Sequence, residues 1–386
     1  MEPLAVLDSR WADLLRLIGD VVDLKETARA TRAFEKAGRI PSAEALFRLL
    51  LVYSAAGYSL ADTAAWASLT GVAEVSDVTV LTRLRYCRAW SEKIVSQLLA
   101  AWGGMGEVPV AGQNRRFYLI DATTVKCPGP QGRCWRVHAS LTLGANRLAH
   151  VELSDDRGGE TLSRFPLQRG DVAIGDAGYA RARELHGAVA KGVDVLCRIG
   201  WKQVSLYTPE GQRFEVLEAL RRTTASVVEF PVWAQDNKAK GHPRLGLRLI
   251  ARRLEGEALE RALQRVLCQA KRKGHVTLPE TLEAAHWIMV LTSLDSDQFS
   301  ADEVLELYRF RWQIEIYFKK IKQFMNFSDL KAKNEDLVSV CLYGRLIAAI
   351  LVEHLRETVL SFPPSASGSS GSPLPGPRAA ARTARG

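Results

Sequence analysis

SADEVLELYRFRWQIEIYFKKIKQFM, Ser300–Met325, decides how the rest of the chain is read. It has the pattern of one long amphipathic helix. Ser300 and Glu303 form a capping box, and Phe299 with Val304 supplies the hydrophobic staple outside it. Leu307, Phe310, Ile314, Phe318 and Ile321 recur at helical spacing and mark a core face. At 3.6 residues per turn, Tyr308, Arg311, Glu315 and Lys322 fall within a sector of roughly 60° beside that face. A carboxylate at the edge of the core, flanked by two cations and a phenol, suits a metal ion and a phosphate backbone. The competing reading is a salt-bridged surface helix, on which charges would scatter around the axis.

The spacing Tyr, two residues, Arg, three residues, Glu, six residues, Lys resembles the signature of DDE transposases of the insertion-sequence-four group, the cut-and-paste enzymes of bacterial insertion sequences. The match at Tyr308, Arg311, Glu315 and Lys322 is complete. The resemblance implies that Glu315 is the third catalytic carboxylate, so two aspartates must be found at strand ends.

RRFYLIDATTV places the apolar residues Phe117 to Ile120 directly before Asp121. CWRVHASLTL and RLAHVELS read as a hairpin around Gly144, Ala145 and Asn146. A helix is expected around Glu160 to Leu167. DVAIGDAGYA is a short apolar strand with Asp176 at its C-terminal end. Asp171, at its start, ranks behind Asp176. A helix over about 180–190 and the strand VDVLCRI follow. Strand, hairpin, helix, strand, helix, strand is the order of a ribonuclease-H-like α/β fold, in which the first strand lies beside a later one. GDAGY departs from the family's Asp-Arg-Gly-Tyr at Ala177, which removes a cation next to Asp176.

The expected organisation is a helical N-terminal domain over 1–110, a catalytic domain over 111–199 and 286–360, a mainly β insertion over 200–285 and a disordered tail over 361–386. In the N-terminal part, two short helices lead into a third that carries Arg83, Arg85 and Arg88. The resemblance implies recognition of transposon ends there, and a helix-turn-helix-like module fits. A plain helical bundle packed on the catalytic domain fits equally. The insertion reading rests on QVSLYT, QRFEVL, SVVEFPVWA and RLGLRLIAR, with Lys238, Lys240, Arg244 and AKRKG adding positive charge. The tail is rich in Ser, Pro, Gly and Ala and has no core pattern. The resembling family continues with C-terminal helices that pair subunits.

Three acids, Asp121, Asp176 and Glu315, form the candidate site and metal ligands. Such a set holds two divalent cations roughly 3.5–4 Å apart, and all-oxygen ligation selects Mg2+, with Mn2+ able to substitute. Arg311, Lys322 and Tyr308 are the expected phosphate contacts. The resemblance implies that Trp287 in HWIMVL stacks on a base flipped from DNA; a core tryptophan is the other reading. His138 and His150 show no ligand spacing and are read as packed side chains.

A net charge of +9 over 386 residues suits a polyanionic partner, DNA first, though ordinary basic enzymes share it. Hydrophobic residues make up 47% of the chain, enough for a real core. Cys87, Cys127, Cys134, Cys197, Cys268 and Cys341 are scattered without a CxxC pair, which argues against structural zinc and fits a reducing bacterial cytoplasm, close to the nucleoid. MEPLAVLDSRWADLL is not a signal peptide, and apolar runs such as LIAAILV are too short to span a bilayer. No phosphate loop of the GxxxxGK type occurs, so ATP use is not indicated. The expected activity is metal-dependent cleavage at transposon ends and strand transfer, carried out by a homodimer. The alternatives are a truncated relative that occupies ends and represses transposition, and a general nuclease.

Overall fold

The computed structural model describes residues 10–103, 107–110, 113–126, 134–143, 147–155, 157–324, 330, 332 and 334–360. The expected hairpin turn and the tail over 361–386 lie outside the described residues. Among the described residues six helices come first: α1 (Trp11–Gly19), α2 (Leu24–Ala30), α3 (Ala43–Ala55), α4 (Leu60–Leu69), α5 (Asp77–Arg85) and α6 (Arg88–Trp102). Serine caps start three of them. The hydroxyls of Ser42, Ser59 and Ser76 accept from the backbone N–H groups of Ala45, Asp62 and Thr79, each satisfying a donor the helix leaves free. The expected third helix is two helices. At Tyr86 and Cys87 the backbone N–H groups donate to the carbonyls of Arg83 and Leu84, three residues back, and this tighter turn ends α5.

Ten strands form one sheet: β1 (Glu107–Val110), β2 (Gln113–Lys126), β3 (Cys134–Thr142), β4 (Leu148–Asp155), β5 (Val172–Gly175), β6 (Asp194–Arg198), β7 (Leu206–Tyr207), β8 (Val227–Gln235), β9 (Arg244–Arg253) and β10 (Trp287–Thr292). The order is β4-β3-β2-β5-β6-β10-β9-β8-β7, with β1 on β2. β2, β5 and β6 are mutually parallel, and β3 and β4 run as an antiparallel hairpin on β2. β10 returns antiparallel between β6 and β9. The helix expected around Glu160 is a three-residue 3-10 turn, Leu162–Arg164. α7 (Ala182–Ala190) links β5 to β6.

The segment 200–285 differs from a mainly β insertion. It carries α8 (Val216–Arg221), α9 (Gly256–Lys273) and α10 (Pro279–Ala284), which hold more residues than its strands. QRFEVL runs into α8 instead of forming a strand. α9 has no buried residue, although Leu259, Leu263, Val266 and Ala270 recur at helical spacing along it. β7, β8 and β9 extend the central sheet and do not form a separate layer.

The long helix is also divided. α11 (Ala301–Arg309) and α12 (Trp312–Phe324) are separated at Phe310 and Arg311, whose N–H groups donate to Leu307 and Tyr308 at 3.2 and 3.1 Å. Phe310 is consequently 41% exposed instead of core, while Ile314 and Phe318 stay buried. The Ser300–Glu303 capping box and the buried Phe299 and Val304 stand as expected. Arg248 fixes this entry, donating to the carbonyls of Leu294 and Phe299 at 2.9 Å each.

α13 (Glu335–Leu360) ties the two ends of the chain together. Arg345, buried, donates to the carbonyl of Ser54 at 2.9 Å. A Cβ at Gly344 would stand 2.1 Å from Ser54 Oγ, so α13 and α3 cross at the closest approach a glycine permits. Leu46 and Leu50 of α3, Phe117 and Leu119 of β2, and Leu346 and Ile347 of α13 belong to one apolar cluster. A boundary at residue 110 therefore separates elements but not cores. The span Glu335–Arg356 is long and apolar enough to cross a membrane, which the short-run reading of LIAAILV overlooked; 78% of its most apolar window is buried inside the fold, as in a core helix.

Gly344→Val is expected to lower stability by about 1–3 kcal/mol through overpacking. Denaturant unfolding should remain one transition, with near-ultraviolet and helical signals lost together. Separate melting of the N-terminal helices would contradict the shared core.

Candidate active site

The site lies where β5 ends and β2 continues. Phe117, Tyr118 and Leu119 pair with Val172, Ala173 and Ile174 in parallel register. Carried two residues further, that register brings Asp121 beside Asp176. Asp121 accepts a hydrogen bond from the N–H of Ala122 at 2.8 Å, and Asp176 accepts one from Gly178 at 2.8 Å. Asp121 is mostly buried, and burial pushes its carboxyl up to about 7. Asp176 and Glu315 push in the same direction, while the Ala122 N–H and Arg311 oppose them. Two acids that chain topology forces together repel each other and need a cation.

Arg311 supplies one. Its Nη1 lies 3.6 Å from Asp121 Oδ2, and its Nη2 bonds Glu315 Oε1 at the start of α12. This side chain thus contacts both acids. Tyr308 is buried at the end of α11, and burial raises its hydroxyl to about 12. Arg311, Arg198 and Asp176 also act on it, which sets the phenol against the same cluster. The side chain of Lys322 lies outside the described residues.

Trp287 starts β10. Because β10 runs antiparallel to β6, it stands at the sheet edge where β5 and β6 end. Trp287 is 6% exposed, with the Arg253 guanidinium 4.8 Å over its ring, and it lines a cavity together with Arg221, Glu283 and His286. Asp171 is a satisfied buried ion-pair partner at the opposite end of β5, held by Arg116 at 2.8 Å and the Gln168 N–H at 2.7 Å. His138 bonds Ser154 Oγ at 2.8 Å, and burial with Arg164 and Arg136 nearby lowers it to about 4. Arg85 and Arg88 approach Asp336 at 3.8 and 3.9 Å, and Arg88 also covers Trp135.

Sequence reasoning missed Glu160, Tyr179 and Arg198. Tyr179 sits inside the quoted GDAGY, and Glu160 was taken only as a helix start. Both face the aspartates: burial raises the Glu160 carboxyl, and Asp176 adds to it. Tyr179 is fully buried, its hydroxyl lacks a partner, and Asp121, Glu160 and Asp176 all act on it.

Among the described residues, no three His, Cys, Asp or Glu side chains are arranged to grip one metal ion. The donor chemistry nevertheless fits a hard divalent cation, being all oxygen. A positive group, Arg311, already stands between two of the donors, and a buried hydroxyl without an acceptor borders them.

Residues 112–351 match the family described as Transposase DDE domain. The chain belongs to that family and is a DDE transposase, an enzyme acting on DNA. Such enzymes generally use divalent metal ions. It is 34% identical over 363 residues to the putative transposase InsL for insertion sequence element IS186A of Escherichia coli (strain K12), covering 93% of this chain and 97% of that one. It is 34% identical over 364 residues to the transposase for insertion sequence element IS421 of Escherichia coli, with the same coverage. A transposase for insertion sequence element IS231F of Bacillus thuringiensis subsp. israelensis is 24% identical over 201 residues, 48% of this chain and 41% of that one.

Asp121 binds its proton more tightly folded than unfolded, so its ionisation opposes folding. The penalty is absent below the ordinary carboxylate pKa near 4, grows between about 4 and 7, and is fully present above. In metal-free protein at pH 8, Asp121→Asn should raise stability by about 2–4 kcal/mol, at about 1.4 kcal/mol per tenfold change in proton affinity. The gain should vanish near pH 4. A difference independent of pH, measured by denaturant unfolding, would contradict the buried and crowded carboxyl.

Proposed function

We propose that the chain is the transposase of an insertion sequence, with a ribonuclease-H-like catalytic core in which Asp121, Asp176 and Glu315 are the catalytic carboxylates. Arg311 set between Asp121 and Glu315, with Asp176 brought beside Asp121 by the parallel strand register, carries the reading. The strand order β4-β3-β2-β5-β6, with three parallel strands and an antiparallel hairpin, supports the core assignment.

The three carboxylates would hold two Mg2+ ions, with Mn2+ as substitute. When bound, such ions activate water or a 3′ hydroxyl and stabilise the leaving oxygen of an in-line displacement at phosphorus. The chain's own part is positional. β2 and β5 aim two acids at one point, and α12 brings the third from the other side. Arg311, displaced from the acids by a competing cation, is free to turn to a DNA phosphate, where its fork suits bidentate contact. Tyr308, packed beneath Arg311, keeps that side chain at the rim. No covalent protein–DNA intermediate is required, and Tyr308 has no nucleophilic role. Lys322 is assigned to phosphate binding. Trp287 is left in the core.

The N-terminal helices with Arg83 are assigned to the element's ends, and two copies of the chain to the paired complex, in a bacterial cytoplasm near the nucleoid. Ala177 favours a second reading, a weak enzyme that mainly occupies ends, because it leaves the position after Asp176 without a cation. The chain spans 97% of the two Escherichia coli relatives, so length does not argue for that reading.

With Mg2+ and DNA carrying the element's terminal repeats, the purified chain should cleave at the repeats, with random DNA at matched salt a poor substrate. Glu315→Gln should reduce cleavage to background with DNA binding unchanged. Cleavage retained by that variant would remove Glu315 from the site. Absence of cleavage by the natural chain would favour the end-binding reading, and equal cleavage of random DNA a general nuclease.

A further inference from the structure

Glu160 lies in the loop that leaves β4, far in sequence from the three acids assigned above. Its Oε2 is packed against Gly178: a Cβ at that glycine would stand 1.8 Å from Glu160 Oε2 and 3.0 Å from Asp176 Oδ1. The two carboxylates therefore sit side by side across the Gly178 backbone. This glycine is required by space and not by torsion, because any side chain would fill the gap into which both acids point.

The acid is poorly neutralised for its position. Its side chain is 26% exposed, and its nearest cation is Arg136 Nη1 at 3.8 Å from Oε1. Arg181 also acts on it. Arg311, by contrast, contacts both Asp121 and Glu315. Tyr179 is fully buried, and its hydroxyl, without a hydrogen-bond partner among the described residues, feels the charges of Asp121, Asp176 and Glu160. A buried hydroxyl left unpaired costs about 1–3 kcal/mol, and a cluster that drew in a cation with its water would supply the acceptor. An acid pair across a glycine that makes room for it, and a buried unpaired hydroxyl in the field of the same acids, have one common explanation.

We propose that Glu160 is a fourth carboxylate ligand of the divalent-cation site, beside Asp176. This rests on the transposase reading of the site, in which Asp121 and Asp176 hold the cation. Glu160 would add a hard oxygen donor beside Asp176, to the set already made by Asp121, Asp176 and Glu315. Its role is then in metal affinity first and turnover second.

The test is Mn2+ binding to the full chain without DNA, by titration calorimetry, on the natural protein and on Glu160→Gln, Asp176→Asn and Glu152→Gln. Glu152 is an acid of β4 paired with Arg164 and serves as the control for a structural carboxylate. Glu160→Gln should weaken Mn2+ binding about tenfold or more, in the range lost when groups supporting a metal site are removed. Glu152→Gln should leave it unchanged. As a check that does not depend on a variant folding, saturating Mn2+ should protect Glu160, with Asp121 and Asp176, from carbodiimide labelling of the natural protein read by mass spectrometry. Mn2+ affinity unchanged in Glu160→Gln but lost in Asp176→Asn, with Glu160 labelled equally with and without metal, would overturn this proposal and leave the three-acid site standing. No Mn2+ binding by the natural chain would overturn both.

Discussion

The parallel pairing of β2 with β5 is the constraint on which the site depends. It is an ordinary stretch of sheet, Phe117 to Leu119 against Val172 to Ile174, buried from both faces. Its consequence is electrostatic. Two aspartates leave the pair at the same level, in a place too buried for two charges without a counter-charge. The fold answers with Arg311, whose guanidinium meets Asp121 and Glu315 together. Burial and like charge therefore make the pocket a place where a cation is wanted, before any metal chemistry is considered.

The remainder of the structure holds that pair and that helix in position. The β3–β4 hairpin backs β2, and Arg248 anchors the chain entering α11 through two carbonyls. Tyr317 of α12 donates to Glu353 of α13 at 3.0 Å, and α13 is locked to α3 at Gly344. The N-terminal helices are thereby mechanically continuous with the helix that carries Glu315.

Much of this was legible in the sequence, for reasons that differ by element. Apolar runs before Asp121 and Asp176 signalled strands, with Asp176 just past the end of β5 but Asp121 inside β2 instead of at its end, and the Tyr308–Arg311–Glu315 spacing signalled one shared site. The capping box at Ser300 was readable because its two side chains are three residues apart. The break at Phe310 was not, since neither proline nor glycine marks it and the apolar period continues through it. α9 was legible in principle, since Leu259, Leu263, Val266 and Ala270 recur at helical spacing. Glu160 escaped because its partner, Asp176, is brought to it by Gly178 and the return of the chain, and no local pattern records that. Trp287 shows the converse: its strand context was plain, but its burial under Arg253 is a tertiary fact.

The central claim is that the three acids form a cation site held by Arg311 until a divalent ion displaces it. A crystal structure of the full chain with Mn2+, using the anomalous signal of manganese, tests this most directly. The account predicts anomalous density among the oxygens of Asp121, Asp176 and Glu315, with the Arg311 guanidinium withdrawn from Asp121. Manganese bound elsewhere, with Arg311 still spanning Asp121 and Glu315, would contradict it.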